Sequence, residues 1–265
     1  MSKSEGKYFS KYPLYAENKW ADNFRSMLHN SLEKNKKSWT AFTDPRQQQI
    51  ARDILKDFPE IRTVLFGGYP AAERVRILTA PLSMPAPKEE EAVSCILLRG
   101  FPQGILTHRD FLGAILGQGI KREMIGDIIY SGGEKALAFL LPEMTSYVRI
   151  NLKKIGHYTV DVEEVDKDIV QVEIPPQRMK EIKGTVPSMR LDAVAGLGFG
   201  LSRSRITPLI RGEQVKVNYQ IIRQPSRVVK VGDLVSVTGK GRVEIAEYGG
   251  ETKKGRTHLL LHRIM

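Results

Sequence analysis

Two adjacent prolines, Pro175 and Pro176, and a third at Pro187 bracket a charged stretch that divides the 265-residue chain into parts of different character. Proline fixes its own φ, donates no backbone hydrogen bond and is excluded from helix interiors and central strands, so no regular element runs unbroken through such positions. Without sustained apolar periodicity, residues 175–187 read as a linker. The charge divides at the same place. From Arg178 to Met265 there are 17 Lys and Arg against 7 Asp and Glu, whereas Met1 to Gln177 holds 24 against 23. Nearly all of the formal charge of +11 therefore lies in the last third. A basic module beside a near-neutral body predicts a polyanion partner, because each phosphate neutralised by Lys or Arg releases condensed counterions. Charge alone leaves nucleic acid, anionic membrane and acidic protein open.

On either side of the break the hydrophobic spacing names the elements. Residues 1–58 read as an N-terminal helical segment: Trp20, Phe24, Met27 and Leu28 recur at three-and-four spacing, and Gln47, Ile50, Ala51 and Ile54 follow Asp44-Pro45, a cap with a first-turn proline. In 59–174, short apolar runs at 63–66, 75–78, 93–98, 127–130, 136–141, 160–162 and 169–172 alternate with helical stretches at 110–116 and 143–154. That pattern predicts an α+β domain of one sheet and two helices. Residues 188–265 open with two short helices, their apolar faces Leu191, Val194, Ala195 and Ile206, Leu209, Ile210 separated by the glycine-rich 196–200. Strands follow at 215–217 and 234–237, with turns at Asn218-Tyr219 and Gly232-Asp233, and 243–245 and 258–262 add two more.

Composition removes several function classes. A single cysteine, Cys95, allows neither an internal disulfide nor a multi-cysteine zinc site and fits a reducing compartment. Residues 1–12 lack a signal-peptide core, and no run approaches the roughly 20 apolar residues of a membrane span. The expectation is a cytoplasmic protein with no membrane contact, no metal, no cofactor and no small-molecule substrate.

The last module also holds the densest candidate site. Ser202 opens its second helix, where the hydroxyl can cap free backbone amides, and Arg203 and Arg205 flank the same positive helix end. Backbone dipole, hydroxyl and guanidinium together make a phosphate site. Alone, such a run is more often a capped surface helix. Its company is more specific: Arg190-Leu191-Asp192, Ser202-Arg203, Gly212, Val215, Val217-Asn218, Pro225-Ser226 and Gly232-Asp233 resemble the alpha-L RNA-binding domain, the fold known from the small-subunit ribosomal protein S-four. Asp192 can brace Arg190 or cap the first helix, and Asn218 can take a left-handed turn conformation. The RNA-binding candidates are Arg190, Ser202, Arg203, Arg205, Lys216, Asn218, Lys240 and Arg242, with Asn218 shaping the loop more than touching RNA. Pro208, inside the second helix, departs from the pattern and puts that helix's length and straightness in question.

Thr43-Asp44-Pro45-Arg46, Leu65-Phe66-Gly67-Gly68-Tyr69-Pro70, Ala72-Glu73-Arg74, Leu106-Thr107-His108-Arg109-Asp110-Phe111-Leu112-Gly113, Gly119-Ile120-Lys121-Arg122, Gly126-Asp127-Ile128 and the tail blocks 239–242 and 253–256 resemble the bacterial YlmH family, in order and spacing. The resemblance implies three units: an N-terminal helical segment, a middle domain of the ferredoxin-like, RNA-recognition type, and a C-terminal alpha-L domain. It implies association with the ribosome, some members binding large subunits with stalled peptidyl-tRNA and assisting non-templated C-terminal tailing in quality control. A photosynthetic branch carries photosystem-related names, and members have been linked to cell division. The expectation is a non-enzymatic RNA-binding protein on ribosomal RNA, tRNA or both, at the large subunit. An RNA-modifying enzyme, a general binder of structured RNA and a protein-interaction scaffold are the alternatives.

The middle domain offers a second RNA-contact candidate in Tyr69, Arg74, Lys121 and Arg122. An aromatic beside basic residues can stack on a base, while a packed glycine turn explains Tyr69 equally well. His108-Arg109-Asp110 is similar to a kinase catalytic loop but lacks the accompanying motifs, and Asp110 reads as a helix start. Arg190-Leu191-Asp192 is also similar to the pseudouridine synthase motif, but too little chain follows for that catalytic sheet, so Asp192 reads as structural. His258 and His262 fall in a strand-like run without an acidic or cysteine partner, against a metal site.

Overall fold

The computed structural model describes residues 15–89, 92–130, 132–166, 179–252 and 255–264. The chain divides into two compact units between Pro175 and Pro176.

The first unit opens with helix α1 (Tyr15–Glu33), strand β1 (Ser38–Trp39) and helix α2 (Pro45–Leu55). The helices pack through Ala21, Phe24 and Leu28 of α1 and Ile50, Ala51 and Ile54 of α2, the spacing read from the sequence. The Asp44-Pro45 start forms a capping box: the Gln47 amide donates to Asp44 Oδ1 at 2.8 Å, and the Asp44 amide donates to Gln47 Oε1 at 2.9 Å. Strands β2 (Ile61–Phe66) and β3 (Arg76–Pro81) then pair antiparallel, and β3 pairs with β1 on its other edge. Ile61 and Ile77 join the core of the two helices. The boundary at 58/59 expects the apolar runs at 63–66 and 75–78 in the middle sheet, and they do not enter it. They form a sheet of their own with 38–39, because alternation identifies a strand but not the edge it will pair with.

The middle domain runs β4 (Ser94–Arg99), α3 (His108–Leu116), β5 (Ile125–Ile129), β6 (Lys135–Leu140), α4 (Pro142–Asn151), a small hairpin of β7 (Lys154–Ile155) and β8 (Tyr158–Thr159), then β9 (Asp161–Val165). Its antiparallel sheet has the order β5-β6-β4-β9. A β-α-β-β-α-β chain with the first and third strands central is the ferredoxin-like arrangement. Alternation divides the sheet residues: Ile96, Leu98, Ala138 and Leu140 pack with Phe111, Ile115 and Val148 of the helices, and Cys95, Leu97, Leu137 and Phe139 occupy the other face. The run expected at 169–172 lies outside the described residues.

The second unit comprises β10 (Met179–Val186), α5 (Leu191–Phe199), α6 (Arg203–Arg211), β11 (Val215–Val217), β12 (Gln220–Ile221), β13 (Leu234–Val237), β14 (Gly241–Glu251) and β15 (Thr257–Ile264). The six strands are ordered β10-β15-β14-β13-β11-β12. The expected linker at 175–187 is corrected over its described part, since β10 pairs with β15 from Met179 to Val186. Its prolines bracket this segment without entering it, so every amide the ladder needs is present. The inward faces of the sheet, including Val215, Val217, Val235, Val243 and Leu261, close a core against Val194, Phe199, Ile206 and Ile210 of the helices. The first helix continues through Gly196 and Gly198, although the glycine run suggests an earlier end. A Cβ at Gly198 would lie 2.8 Å from Val243 Cγ1, so the missing side chain lets α5 rest directly on β14. Helix α6 tolerates Pro208 and continues to Arg211, with the Gly212 amide donating to the Pro208 carbonyl at 2.8 Å.

Candidate nucleic-acid interface

The C-terminal candidates gather around one buried carboxylate. Asp192, in the first turn of α5, is 4% exposed. Arg190 donates through Nε to Oδ1 at 3.2 Å and through Nη2 to Oδ2 at 3.1 Å, and Arg203, from the first turn of α6, donates through Nη2 to Oδ2 at 2.7 Å. Burial pushes the Asp192 carboxyl up, but the two arginine hydrogen bonds and charges outweigh it and hold it below its ordinary value. One anion thus holds two guanidinium groups, whose side chains remain 40% and 52% exposed. Planar guanidinium retains donors beyond those used on the carboxylate, so both cations can still meet a phosphate. Arg205 is exposed in the same first turn of α6. Ser202 is the N-cap, but its hydroxyl is bonded to the Ser204 hydroxyl at 2.8 Å and not to a helix amide, which corrects its expected capping bond.

Asn218 has a structural duty. With Tyr219 it takes positive φ, 49° and 66°, in the two-residue connection between β11 and β12, the pattern of a type I′ hairpin. Its Nδ2 donates to Asp233 Oδ1 at 2.8 Å, and its Oδ1 accepts from the Leu234 amide at 2.9 Å. Lys216, between the inward Val215 and Val217, and Arg242, beside the inward Val243, point to the sheet face turned away from the helices. Lys240 is exposed in the β13–β14 turn. The eight candidates therefore do not form one cluster: Arg190 and Arg203 share a carboxylate, while Lys216 and Arg242 occupy the opposite side of the sheet.

The second set of candidates, Tyr69 and Arg74 between β2 and β3 and Lys121 and Arg122 before β5, is mostly turned inward. Tyr69 stacks on Phe139, ring centroids 5.1 Å apart, and donates its hydroxyl to Asp127 Oδ2 at 2.9 Å. The same carboxylate accepts the Glu73 amide at 2.6 Å and the Arg74 amide at 3.1 Å. Arg74 donates to the carbonyls of Ile125, Phe42 and Arg122, and Arg122 to those of Ile125 and Gly126. Burial first, then the neighbouring Arg74 charge, pushes Arg122 down to about 10, still cationic at neutral pH. Tyr69 thus packs on Phe139, and Arg74 and Arg122 turn donors inward to backbone carbonyls, all three side chains being partly exposed. Lys121 alone of these four is exposed. Phe139 is 1% exposed beneath Tyr69 and Phe42, so the sheet face opposite the helices is covered by the preceding segment. Asp110 accepts the Thr107 amide and hydroxyl, each at 2.7 Å, which is the helix-start role and draws its carboxyl downward.

Comparison with known proteins bears on this architecture. Family profiles match at residues 25–84 (YlmH, N-terminal), 101–168 (putative RNA-binding domain in YlmH) and 189–235 (S4 domain). The chain is 30% identical over 226 residues to the ribosome-associated protein quality control protein P2 of Bacillus subtilis, covering 84% of this chain and 86% of that one. The chain belongs to the YlmH family. A solved structure described as cell division protein ylmH from Streptococcus pneumoniae matches with a TM-score of 0.53 at 18% identity, over 61% of this chain and 96% of that chain, a likeness of fold. The N-terminal YlmH match ends at 84, just beyond β3, so it includes the sheet that the apolar pattern assigned to the middle domain.

Other cations of this YlmH-family S4 domain were missed from the sequence. The Leu191 amide donates to the Arg227 carbonyl at 2.8 Å and the Asp192 amide to the Pro225 carbonyl at 3.0 Å, so the loop after β12 lies on the start of α5. Arg227 and Lys230, both exposed, ride on that loop beside Arg190. Nothing local to residues 223–231 signals this, because the contact spans more than thirty residues. Among the described residues no helix is long and apolar enough to cross a membrane, and no group of three His, Cys, Asp or Glu side chains is placed to hold a metal.

Proposed function

We propose that this chain is a non-enzymatic, cytoplasmic RNA-binding protein that docks on ribosomal RNA and tRNA at the large ribosomal subunit, as a quality-control factor for subunits retaining stalled peptidyl-tRNA. The observation that carries the reading is the Asp192-centred pair of guanidinium groups at the adjoining starts of α5 and α6. Held at fixed separation, Arg190 and Arg203 grip phosphates without first losing much side-chain freedom, and Arg205 and Arg227 extend the positive surface along the same edge. Lys240 contacts the backbone at the β13–β14 turn, and Lys216 and Arg242 serve RNA that passes over the outer sheet face. Such contacts read helical shape and phosphate spacing more than sequence. The relative named for ribosome-associated quality control supports the ribosomal setting. Asp192 is buried and accepts three hydrogen bonds from two arginines, a bracing role that favours binding over RNA modification.

The test is sedimentation of purified protein with small subunits, large subunits and large subunits retaining peptidyl-tRNA, across a salt series. Preference for the tRNA-bearing large subunit at physiological salt is the expected result. Equal binding to all three, or binding only to free RNA, overturns the quality-control assignment and leaves a general RNA binder.

A further inference from the structure

An exposed indole in the first unit lies outside every site described so far. Trp39, on the edge strand β1, is 51% exposed. Beneath it sits Arg76, itself 3% exposed, with its guanidinium carbon 5.8 Å from the Trp39 ring centroid. Arg76 is anchored from within: Nε donates to the Thr40 carbonyl at 2.8 Å and Nη1 to the Ala92 carbonyl. A fixed cation against one part of the ring steadies the indole while leaving much of its surface open to water.

The approach to this ring is basic. Residues 33–37 read Glu-Lys-Asn-Lys-Lys, with Lys34 and Lys36 exposed in the turn between α1 and β1. Lys37, two residues before Trp39 along an extended chain, is held at the rim by a bond from Nζ to the Ala86 carbonyl at 3.1 Å. A protein-docking tryptophan is ordinarily ringed by residues that exclude water. Here its chain neighbours are charged or polar. A flat, steadied aromatic beside exposed cations is instead the arrangement that holds an unpaired nucleotide, base on the ring and phosphate on the ammonium.

We propose that Trp39 is a stacking platform for an unpaired RNA base, with Lys34 and Lys36 contacting the flanking phosphates. The proposal deepens the RNA-binding reading above and rests on it, but uses a surface in the other unit. It also relocates the aromatic contact: the middle sheet cannot offer Phe139 to a base because Tyr69 and Phe42 cover it, whereas Trp39 is open.

The chain has two tryptophans, and Trp20 is stacked on Phe24 at 5.2 Å, so a Trp20→Phe background isolates Trp39 emission. The probe is a single-stranded eight-nucleotide oligouridylate, titrated with tryptophan emission and RNA anisotropy read together. Binding should quench Trp39. Trp39→Ala should weaken affinity about tenfold, while Trp39→Phe retains most of it. Arg203→Ala with Arg205→Ala should leave the quenching intact. Binding without quenching, or equal affinity in Trp39→Ala, overturns the platform and leaves the S4-domain reading standing. Absence of oligouridylate binding while ribosomal sedimentation persists does the same. Loss of sedimentation with quenching preserved instead overturns the ribosomal reading and keeps the platform.

Discussion

Asp192 Oδ2 lies 2.7 Å from Arg203 Nη2, a bond that ties the first turn of α5 to the first turn of α6 across eleven residues of chain. The same oxygen also accepts from Arg190 at 3.1 Å. The relationship makes a buried anion the organiser of a cationic surface. The arginines give up only part of their hydrogen-bonding capacity to be held in place.

Replacing Asp192 by Asn should therefore lower RNA affinity and destabilise the C-terminal unit together. A cost of about 1–2 kcal/mol is expected, below that of a fully buried pair because both guanidinium groups are half exposed. The pH dependence has a definite sign. Asp192 has a lowered carboxyl pKa when folded, so the unfolded chain binds its proton first as pH falls. Its contribution is present above the ordinary carboxylate range and is lost as pH drops through the folded value. Urea midpoints at a series of acidic pH values should show a steeper loss in the wild type than in Asp192→Asn.

Arg203→Ala combined with Arg205→Ala should weaken binding to ribosomal RNA and flatten its salt dependence. The slope of log affinity against log salt should fall by about 0.7–0.9 for each phosphate contact removed. An unchanged slope in the folded double variant counts against this edge of the S4 domain as the RNA-contacting surface.

Around Tyr69 the expected effects are on stability. Tyr69→Phe deletes the bond to Asp127 and keeps the stack on Phe139, so a loss of about 1 kcal/mol is expected in urea unfolding, with RNA affinity unchanged. Gly68→Ala is harsher. Gly68 has φ of 100°, and an added Cβ would lie within the Phe139 ring contact, so a loss of about 2–4 kcal/mol is expected from backbone strain and overpacking together.

Cys95 should resist thiol reagents in the folded protein. Burial on the covered sheet face pushes its thiol up to about 12, leaving almost no thiolate at mildly alkaline pH. Labelling by a disulfide reagent should be slow in native buffer and rise in urea together with the unfolding transition. Fast labelling in native buffer would show that the Phe42 and Tyr69 cover opens readily.

Features with local causes were legible in the sequence. The Asp44-Pro45 start depends on side chains reaching backbone three residues away, the two short helices of the C-terminal module on their apolar spacing, and the Asn218-Tyr219 connection on two adjacent residues that take positive φ. The family resemblance likewise rests on residues read in order. The candidate cations divided differently. Arg203 and Arg74 are equally basic in the sequence, yet one side chain is half exposed and the other spends donors on the carbonyls of Ile125, Phe42 and Arg122.

Tertiary structure decided the matters that depend on which distant surfaces meet. Apolar runs marked 63–66 and 75–78 as strands, and pairing with each other and with 38–39 took them out of the middle sheet. Prolines at 175, 176 and 187 marked chain breaks, and β15 supplied the ladder that makes 179–186 a strand between them. Sequence by itself determined the local elements, the placing of charge and the module type. Packing alone decided which arginine turns its donors inward and which stays exposed, because a guanidinium's surroundings follow from the acceptors that the rest of the chain brings within reach.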